Sequence, residues 1–325
     1  MNRPPEEHIR VAAEDLCAFV AAAAQSVGLP QDKSELLADL LTKNDLRGVF
    51  SHGTQQIATY AILMRDGKLN NEPNVALVRE TPVSALVDGD GGLGYFPAYD
   101  ATLRAIEKAK AVGMAAVMSR NHGHFGAAGI YARMALEHDL VVYVTSGHQL
   151  DLQPGKSLFR AAGGSPMAFG VPTEKHPPFV LDFGAVHDLY KEDLRSTLAE
   201  RAPGLVLRCI GMGEICQAWG GMLSGLGIDA EHPRWTWSGA NQGSLLIALR
   251  IDLFHDAEVF KRDIDEYVDR IRQLEPLEGF SESHVPGGME AVREEAYARE
   301  GVPVGDWHRE RLEGVAKELG MDVPW

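Results

Sequence analysis

Apolar residues recur at helical spacing through the N-terminal part of the chain. Val11, Leu16, Phe19, Val20 and Ala23 predict a helix over Ile9 to Ser26, closed by Gly28-Leu29-Pro30. Leu36, Leu37, Leu40 and Leu41 predict a second over Gln31 to Asn44, and Ile57, Tyr60, Ala61 and Met64 a third that stops at Gly67. The stretch from Arg47 to Gly53 is therefore a loop between two helices. Beyond Asn71-Glu72-Pro73 the pattern alternates. Pro82 to Val87 reads as a strand, Ala98 to Val112 as a helix with Leu103 and Ile106 facing inward, and Met114 to Met118 as a strand. Phe125 to His138 reads as a helix, Leu140 to Thr145 and Phe179 to Leu181 as strands, and Lys191 to Arg201 as a charged helix. Ser244 to Ile251 is a further strand, and Ala257 to Leu274 is an amphipathic helix through Phe260, Ile264, Tyr267 and Ile271. A charged, partly helical tail follows from Glu282. The class this predicts is α/β.

The predicted loop Arg47-Gly48-Val49-Phe50-Ser51-His52-Gly53 joins a cation, a hydroxyl and an imidazole. Arginine matches a carboxylate through two parallel hydrogen bonds, and histidine exchanges a proton near neutrality. Such a loop suits holding a small carboxylate and moving one proton. The other reading is a polar helix end, with Gly48 as C-cap and His52 as a solvated or core imidazole. Two further segments bear on the choice: Ser119-Arg120-Asn121-His122-Gly123-His124-Phe125-Gly126 and Gly163-Gly164-Ser165-Pro166-Met167-Ala168-Phe169-Gly170. Phe179-Val180-Leu181-Asp182 and a late Val285-Pro286-Gly287 complete the series.

In its order this series resembles the type-2 malate/L-lactate dehydrogenase family, which includes ureidoglycolate and sulfolactate dehydrogenases and cyclic-imine reductases. The likeness is strong from Leu36 to Asp182 and weaker from Gly239 onward. It implies a non-Rossmann fold with a mixed or antiparallel central sheet, and a helical N-terminal segment (1–72) that packs with a C-terminal tail (281–325). A central cofactor and substrate domain (73–280) lies between them. It implies NAD or NADP as cofactor and a homodimer. It also implies reduction of a small 2-oxo acid or cyclic imine, or oxidation of the 2-hydroxy acid. His52 matches the family's proton donor, and His124 matches the acid/base of the ureidoglycolate branch. Asp182 is then the orienting carboxylate for His52, Ser51 a substrate hydrogen-bonding group and Arg47 the carboxylate clamp. For the dinucleotide, the resemblance assigns His148, Asp182-Phe183-Gly184 and the turn containing Gly287 and Gly288.

The chain departs from the family at several of these points. Phe183-Gly184-Ala185-Val186-His187 replaces the usual continuation after the aspartate, and Ile210-Gly211-Met212-Gly213 carries Ile210 where a dinucleotide-binding lysine is expected. Isoleucine neither donates a hydrogen bond nor neutralises phosphate. The stretch between Asp182 and Gly211 is also short. A second function therefore stays open: a non-redox acid/base lyase, hydratase, isomerase or hydrolase on a small carboxylate, with dinucleotide binding lost. A non-catalytic binding relative is the third.

Gly89-Asp90-Gly91-Gly92-Leu93-Gly94 satisfies the GxGxxG pattern after a predicted strand and before a helix. The acidic residue expected at the end of the next strand is absent, since Met118 leads into Ser119 and Arg120. The family resemblance implies a turn here, since the family binds its cofactor on a fold that is not a Rossmann domain.

A length of 325 residues with 45% hydrophobic content can bury one large core or two smaller ones. The net charge of −15 argues against nucleic acid as a partner, because a phosphate backbone calls for clustered Lys and Arg. A small anionic substrate instead needs a local exception, which Arg47 supplies. Cys17, Cys209 and Cys216 form no CxxC pair, so neither a zinc site nor a disulfide framework is expected, and the expected compartment is the cytoplasm. No targeting or membrane-spanning segment is read. His187 and His255 lack partners at metal-ligand spacing. Trp219, Trp235 and Trp237 read as core or interface aromatics, and the apolar run from Met222 to Ile228 needs burial.

Overall fold

The chain begins with a strand where the apolar spacing predicts a helix. His8–Val11 (β1) pairs antiparallel with Val302–Gly305 (β9), Val11 lying opposite Val302, and helix α1 starts only at Ala13 and runs to Ser26. Pairing with a distant segment overrides the local helical period here. The computed structural model describes residues 4–228 and 234–325. Two units divide the chain. The first comprises Met1–Pro73, Lys175–Pro177 and Ile264–Trp325, the second Asn74–Glu174 and Pro178–Asp263.

In the first unit, α1 is followed by α2 (Gln31–Leu46) and α3 (Ile57–Arg65). Leu16, Val20, Leu37, Leu41, Ile57 and Tyr60 are buried in its core, each contributing roughly 1.5–3 kcal/mol by leaving water.

The second unit is built on a seven-stranded sheet. In chain order it contains β2 (Ala76–Thr81), β3 (Ser84–Asp88), α4 (Tyr95–Val112), β4 (Met114–His122), α5 (Ala128–Leu136) and β5 (Leu140–His148). β6 (Pro166–Val171), β7 (Phe179–Gly184), α6 (Glu192–Arg201), α7 (Pro203–Cys216) and β8 (Gln242–Arg250) follow. The strand order is β2-β3-β4-β8-β5-β6-β7, with β3 and β4 parallel and every other neighbouring pair antiparallel. The sheet is thus mixed, as expected. Its middle strand, β8, buries Leu245, Leu246 and Ala248 between β4 and β5.

Helix α4 corrects one expectation. Ala101, Thr102, Ala105, Ile106 and Ala109 form its buried stripe, while Leu103 lies off that stripe and is exposed. The small residues let α4 approach β3 and β4 closely, so the larger side chain turns away. α5 begins at Ala128, later than Phe125, because Gly123 to Ala127 form a loop.

The chain re-enters the first unit within α8 (Ala257–Arg272) and ends with α9 (Gly288–Glu300), β9 and α10 (Asp306–Leu319). Among the described residues, no helix is long and apolar enough to cross a membrane, and no cluster of side chains suits a metal ion.

Candidate active-site elements

In the first unit, α2 ends at Leu46 and the backbone turns through Gly48, whose φ of +73° favours glycine. Two single 3-10 turns follow, Phe50–His52 and Thr54–Gln56. Side-chain amides hold the carbonyls of the first turn. Asn44 Nδ2 donates to His52 O (2.8 Å), Gln55 Nε2 to Phe50 O (2.5 Å) and Gln56 Nε2 to Ser51 O (2.6 Å). Ser51 Oγ lies 2.9 Å from His52 Nδ1, which orients the ring.

Beneath this loop, the fully buried Asp45 accepts the Thr54 N–H (2.9 Å) and the Thr54 hydroxyl (2.5 Å) on one oxygen. Its other oxygen presses on Gly53, where an added Cβ would lie 1.7 Å away. Burial pushes the Asp45 pKa up to about 7, against the opposing hydrogen bonds from Thr54. Thr54 Oγ1 is also 2.9 Å from Nε2 of His308 on α10. Burial, and then the nearby Arg311 cation, lower the His308 pKa to about 4.

Arg47 directs Nε and Nη2 to the two carboxylate oxygens of Glu294 on α9, at 3.1 and 2.9 Å. This is a bidentate pair along one edge of the guanidinium. Gly287 and Gly288 stand at the N-terminal end of the same helix.

In the second unit, His124 is half-buried in the loop before α5, and its carbonyl accepts the Gly94 N–H (3.0 Å). Asp182 on β7 accepts the Gly129 N–H (2.9 Å) in the first turn of α5, where a helix end favours negative charge. Asp182 thus meets the N-terminal end of α5, and His124 lies in the loop that leads into that helix.

His148 closes β5, and its N–H donates to Gln217 Oε1 (2.9 Å). Burial lowers the His148 pKa. Gln217 is buried and opens a π-helical turn, and its Nε2 has no hydrogen-bond partner. That atom faces Gly163, where an added Cβ would lie 2.0 Å from it and 2.9 Å from His148 Cε1. A Cβ on Gly184 would come within 3.0 Å of Gly164 O. His148, Gly184 and its neighbour Phe183 are thus gathered around a bare Gly163-Gly164 backbone. His187 and His255 are exposed, as is Trp219.

The glycines of the GxGxxG stretch serve the protein's own packing. The N–H groups of Gly89, Gly91 and Gly94 donate to the carbonyls of Arg120, Asn121 and His124. A Cβ at Gly91 would lie 2.0 Å from Trp237. Amides engaged in this way cannot cradle a pyrophosphate, and the turn reading holds.

Ile210 lies in a closed apolar cluster with Ala162, Val186, Leu189 and Val206. An unpaired ammonium there would cost several kcal/mol, so the local packing suits isoleucine.

Comparison with known proteins bears on the family and the fold. A family profile described as malate/L-lactate dehydrogenase matches residues 11–186 and 206–313. The chain belongs to the malate/L-lactate dehydrogenase family. Its family relatives include malate dehydrogenase of Pyrococcus horikoshii, 29% identical over 352 residues, covering 98% of this chain and 97% of that protein. L-sulfolactate dehydrogenase of Methanocaldococcus jannaschii is 28% identical, with 91% and 93% covered. Ureidoglycolate dehydrogenase (NAD(+)) of Escherichia coli is 22% identical, with 92% and 93% covered. The solved structure of the Pyrococcus enzyme superposes with a TM-score of 0.81 at 26% identity, covering 99% of each chain. A malate/L-lactate dehydrogenase-family member of this kind is a hydroxyacid dehydrogenase-like enzyme on the non-Rossmann fold. The profile's unmatched interval takes in α6, so the departure after Asp182 has a structural counterpart in a charged helix.

Several residues central to this family member's architecture escape a reading of its sequence. Asn44, Asp45, Gln55 and Gln56 flank the Ser-His pair, and a polar doublet on each side of a short loop was their signal. Gln217 and His308 become meaningful only through partners far away in sequence.

Proposed function

We propose that this enzyme is a nicotinamide-dependent oxidoreductase of a small 2-oxo acid or cyclic imine, or of the matching 2-hydroxy acid. His52 is the proton donor. The observation that carries this reading is the anchored Ser51-His52 turn, in which three amides fix the backbone and Ser51 orients the imidazole. General acid catalysis needs a ring held in such a way. A dinucleotide, when bound, would supply hydride chemistry at the substrate carbon. His52 would give a proton to the heteroatom of the C=O or C=N bond as that atom takes up the π pair.

Arg47 is assigned the substrate carboxylate. Glu294 occupies the Nε–Nη2 edge, so the carboxylate takes the Nη1–Nη2 edge. Ser51 is assigned a hydrogen bond to the substrate, and Asp182 the role of orienting carboxylate for His52. For the dinucleotide, NAD or NADP, the assigned contacts are His148, Asp182, Phe183, Gly184, Gly287 and Gly288. The orphan Gln217 Nε2 beside the bare Gly163-Gly164 backbone fits a polar ligand. The name of the ureidoglycolate relative favours NAD. A second copy of the chain is the proposed partner, since Met222, Leu223 and Ile228 are exposed in a single copy although apolar. The three free cysteines fit a reducing cytoplasm.

The buried Ile210 favours the alternative, a non-redox enzyme on a small carboxylate. Thermal melting with millimolar NADH or NADPH separates the two. We expect stabilisation by the dinucleotide, and in His52→Ala a fall in turnover of about 10²-fold or more with dinucleotide binding retained. No melting shift with either cofactor selects the non-redox reading, and a His52→Ala variant with unchanged turnover removes His52 from the chemistry.

A further inference from the structure

Thr54 is the point at which the Ser51-His52 turn is fastened to the protein beneath it. Its N–H and hydroxyl both reach one oxygen of Asp45, and its Oγ1 meets His308. Each member comes from a different element: Asp45 from α2, Thr54 from the second 3-10 turn and His308 from α10. All three are buried. Thr54 has one hydroxyl hydrogen, so donation to Asp45 leaves Oγ1 to accept from a protonated Nε2 on His308. When Asp45 holds a proton and donates it to Oγ1, the hydroxyl turns and donates to His308 instead. The same heavy atoms thus support two proton arrangements. No free space relaxes the contact, because the second Asp45 oxygen lies against Gly53, the residue joining His52 to Thr54. The facing groups are Thr54 for Asp45, and Thr54 with Arg311 for His308.

We infer that Asp45, Thr54 and His308 form one positioning unit that fixes the stance of His52, acting through the Thr54 hydroxyl. This rests on the proposed role of His52 as proton donor, and its primary readouts are independent of turnover. None of the three is assigned a substrate contact. Asp45 and His308 hold Thr54, Thr54 holds Gly53, and Gly53 carries His52. The arrangement complements the amides of Asn44, Gln55 and Gln56, which hold the same turn by its carbonyls.

The test uses the full-length protein. Thr54→Val keeps the volume and the N–H but removes the hydroxyl, and Thr54→Ser restores it. Backbone amide exchange across 50–54 and the rate of His52 carbethoxylation by diethyl pyrocarbonate are both read by mass spectrometry. In Thr54→Val we expect exchange in this turn to quicken about 10-fold or more and His52 labelling to change at least threefold, on the order of a lost buried hydrogen bond. Thr54→Ser returns both toward the wild-type values. His308→Leu removes the imidazole partner of Oγ1 and gives a smaller change of the same kind, which serves if Thr54→Val does not fold. With malate and NAD+ or NADP+ as the assay, kcat falls in Thr54→Val while KM stays within about twofold, as for a group acting on the proton donor. Wild-type exchange and labelling in a folded Thr54→Val or His308→Leu protein, or a change that Thr54→Ser does not reverse, overturns the positioning unit. Full turnover in His52→Ala instead overturns the donor role and leaves the exchange result standing.

Discussion

The Gly89–Gly94 loop and the Gly48–Gly53 loop both leave a regular element on glycines, yet their polar groups are engaged in opposite ways. In the first, backbone N–H groups are consumed by neighbouring carbonyls and the bare α-carbons admit Trp237 and His122. In the second, carbonyls are consumed by side-chain amides and the glycine admits a buried carboxyl. Glycine spacing alone does not separate a ligand cradle from a packing device. What separates them is the direction in which the remaining groups point. The loop matching a well-known nucleotide pattern is closed on itself, whereas the loop without such a pattern is braced from below to present a serine and a histidine.

The strongest test of this contrast is Gly53→Ala. The new methyl has no room against Asp45, and the fixed turns on both sides block adjustment. A loss of about 3 kcal/mol or more is expected, at the upper end for overpacking, read by urea unfolding. A change below about 1 kcal/mol breaks the idea that this loop is held from beneath.

A second test uses pH. The Asp45 pKa is raised in the folded protein, so its contribution is full below about 4 and is lost as pH rises toward about 7. His308 runs the other way. Its lowered pKa gives a contribution that is full above about 6.5 and is lost as pH falls toward about 4. Between those limits the two slopes oppose and nearly cancel. Asp45→Asn removes one of them, and stability relative to wild type should then climb with pH by up to about 1.4 kcal/mol per unit across this window. Urea midpoints measured from pH 4 to 7 read it, and a difference that is flat or falls with pH contradicts the assignment.

Gly91→Ala carries the smallest expected effect, about 1–2 kcal/mol from the left-handed backbone and the contact with Trp237. Trp237→Ala in the same chain should relieve the steric part. Dinucleotide affinity should stay unchanged in Gly91→Ala, and a fall of tenfold or more would return this loop to the list of phosphate-binding candidates.

Much of the architecture is legible in the amino-acid pattern, because α2, α3, α4 and β8 carry amphipathic or continuous apolar signals strong enough to stand alone. β1 is not, since only its pairing with β9 makes it a strand. Leu103 is misplaced by periodicity because α4 buries a stripe of alanines that a search for large apolar residues passes over. The Ser51-His52 pair is visible as a polar cluster in a predicted loop. Its supports are not, for a buried Asp45 or a distant His308 looks like any other polar residue until its partner is known. Ile210 is legible as a departure, and its packing among Val186, Leu189 and Val206 supplies the physical reason.

The position of β8 bears on how this protein is made. The strand that joins β4 to β5 spans Gln242–Arg250, well after both of its neighbours. A growing polypeptide therefore carries two unfinished half-sheets, each with an open edge, until the ribosome has released that stretch. Closure of the sheet is a late, long-range event, of the kind that slows folding and exposes strand edges to other chains. Fragments ending before Gln242 should be caught by chaperones or aggregate, and the β4 and β5 edges are where they would stick.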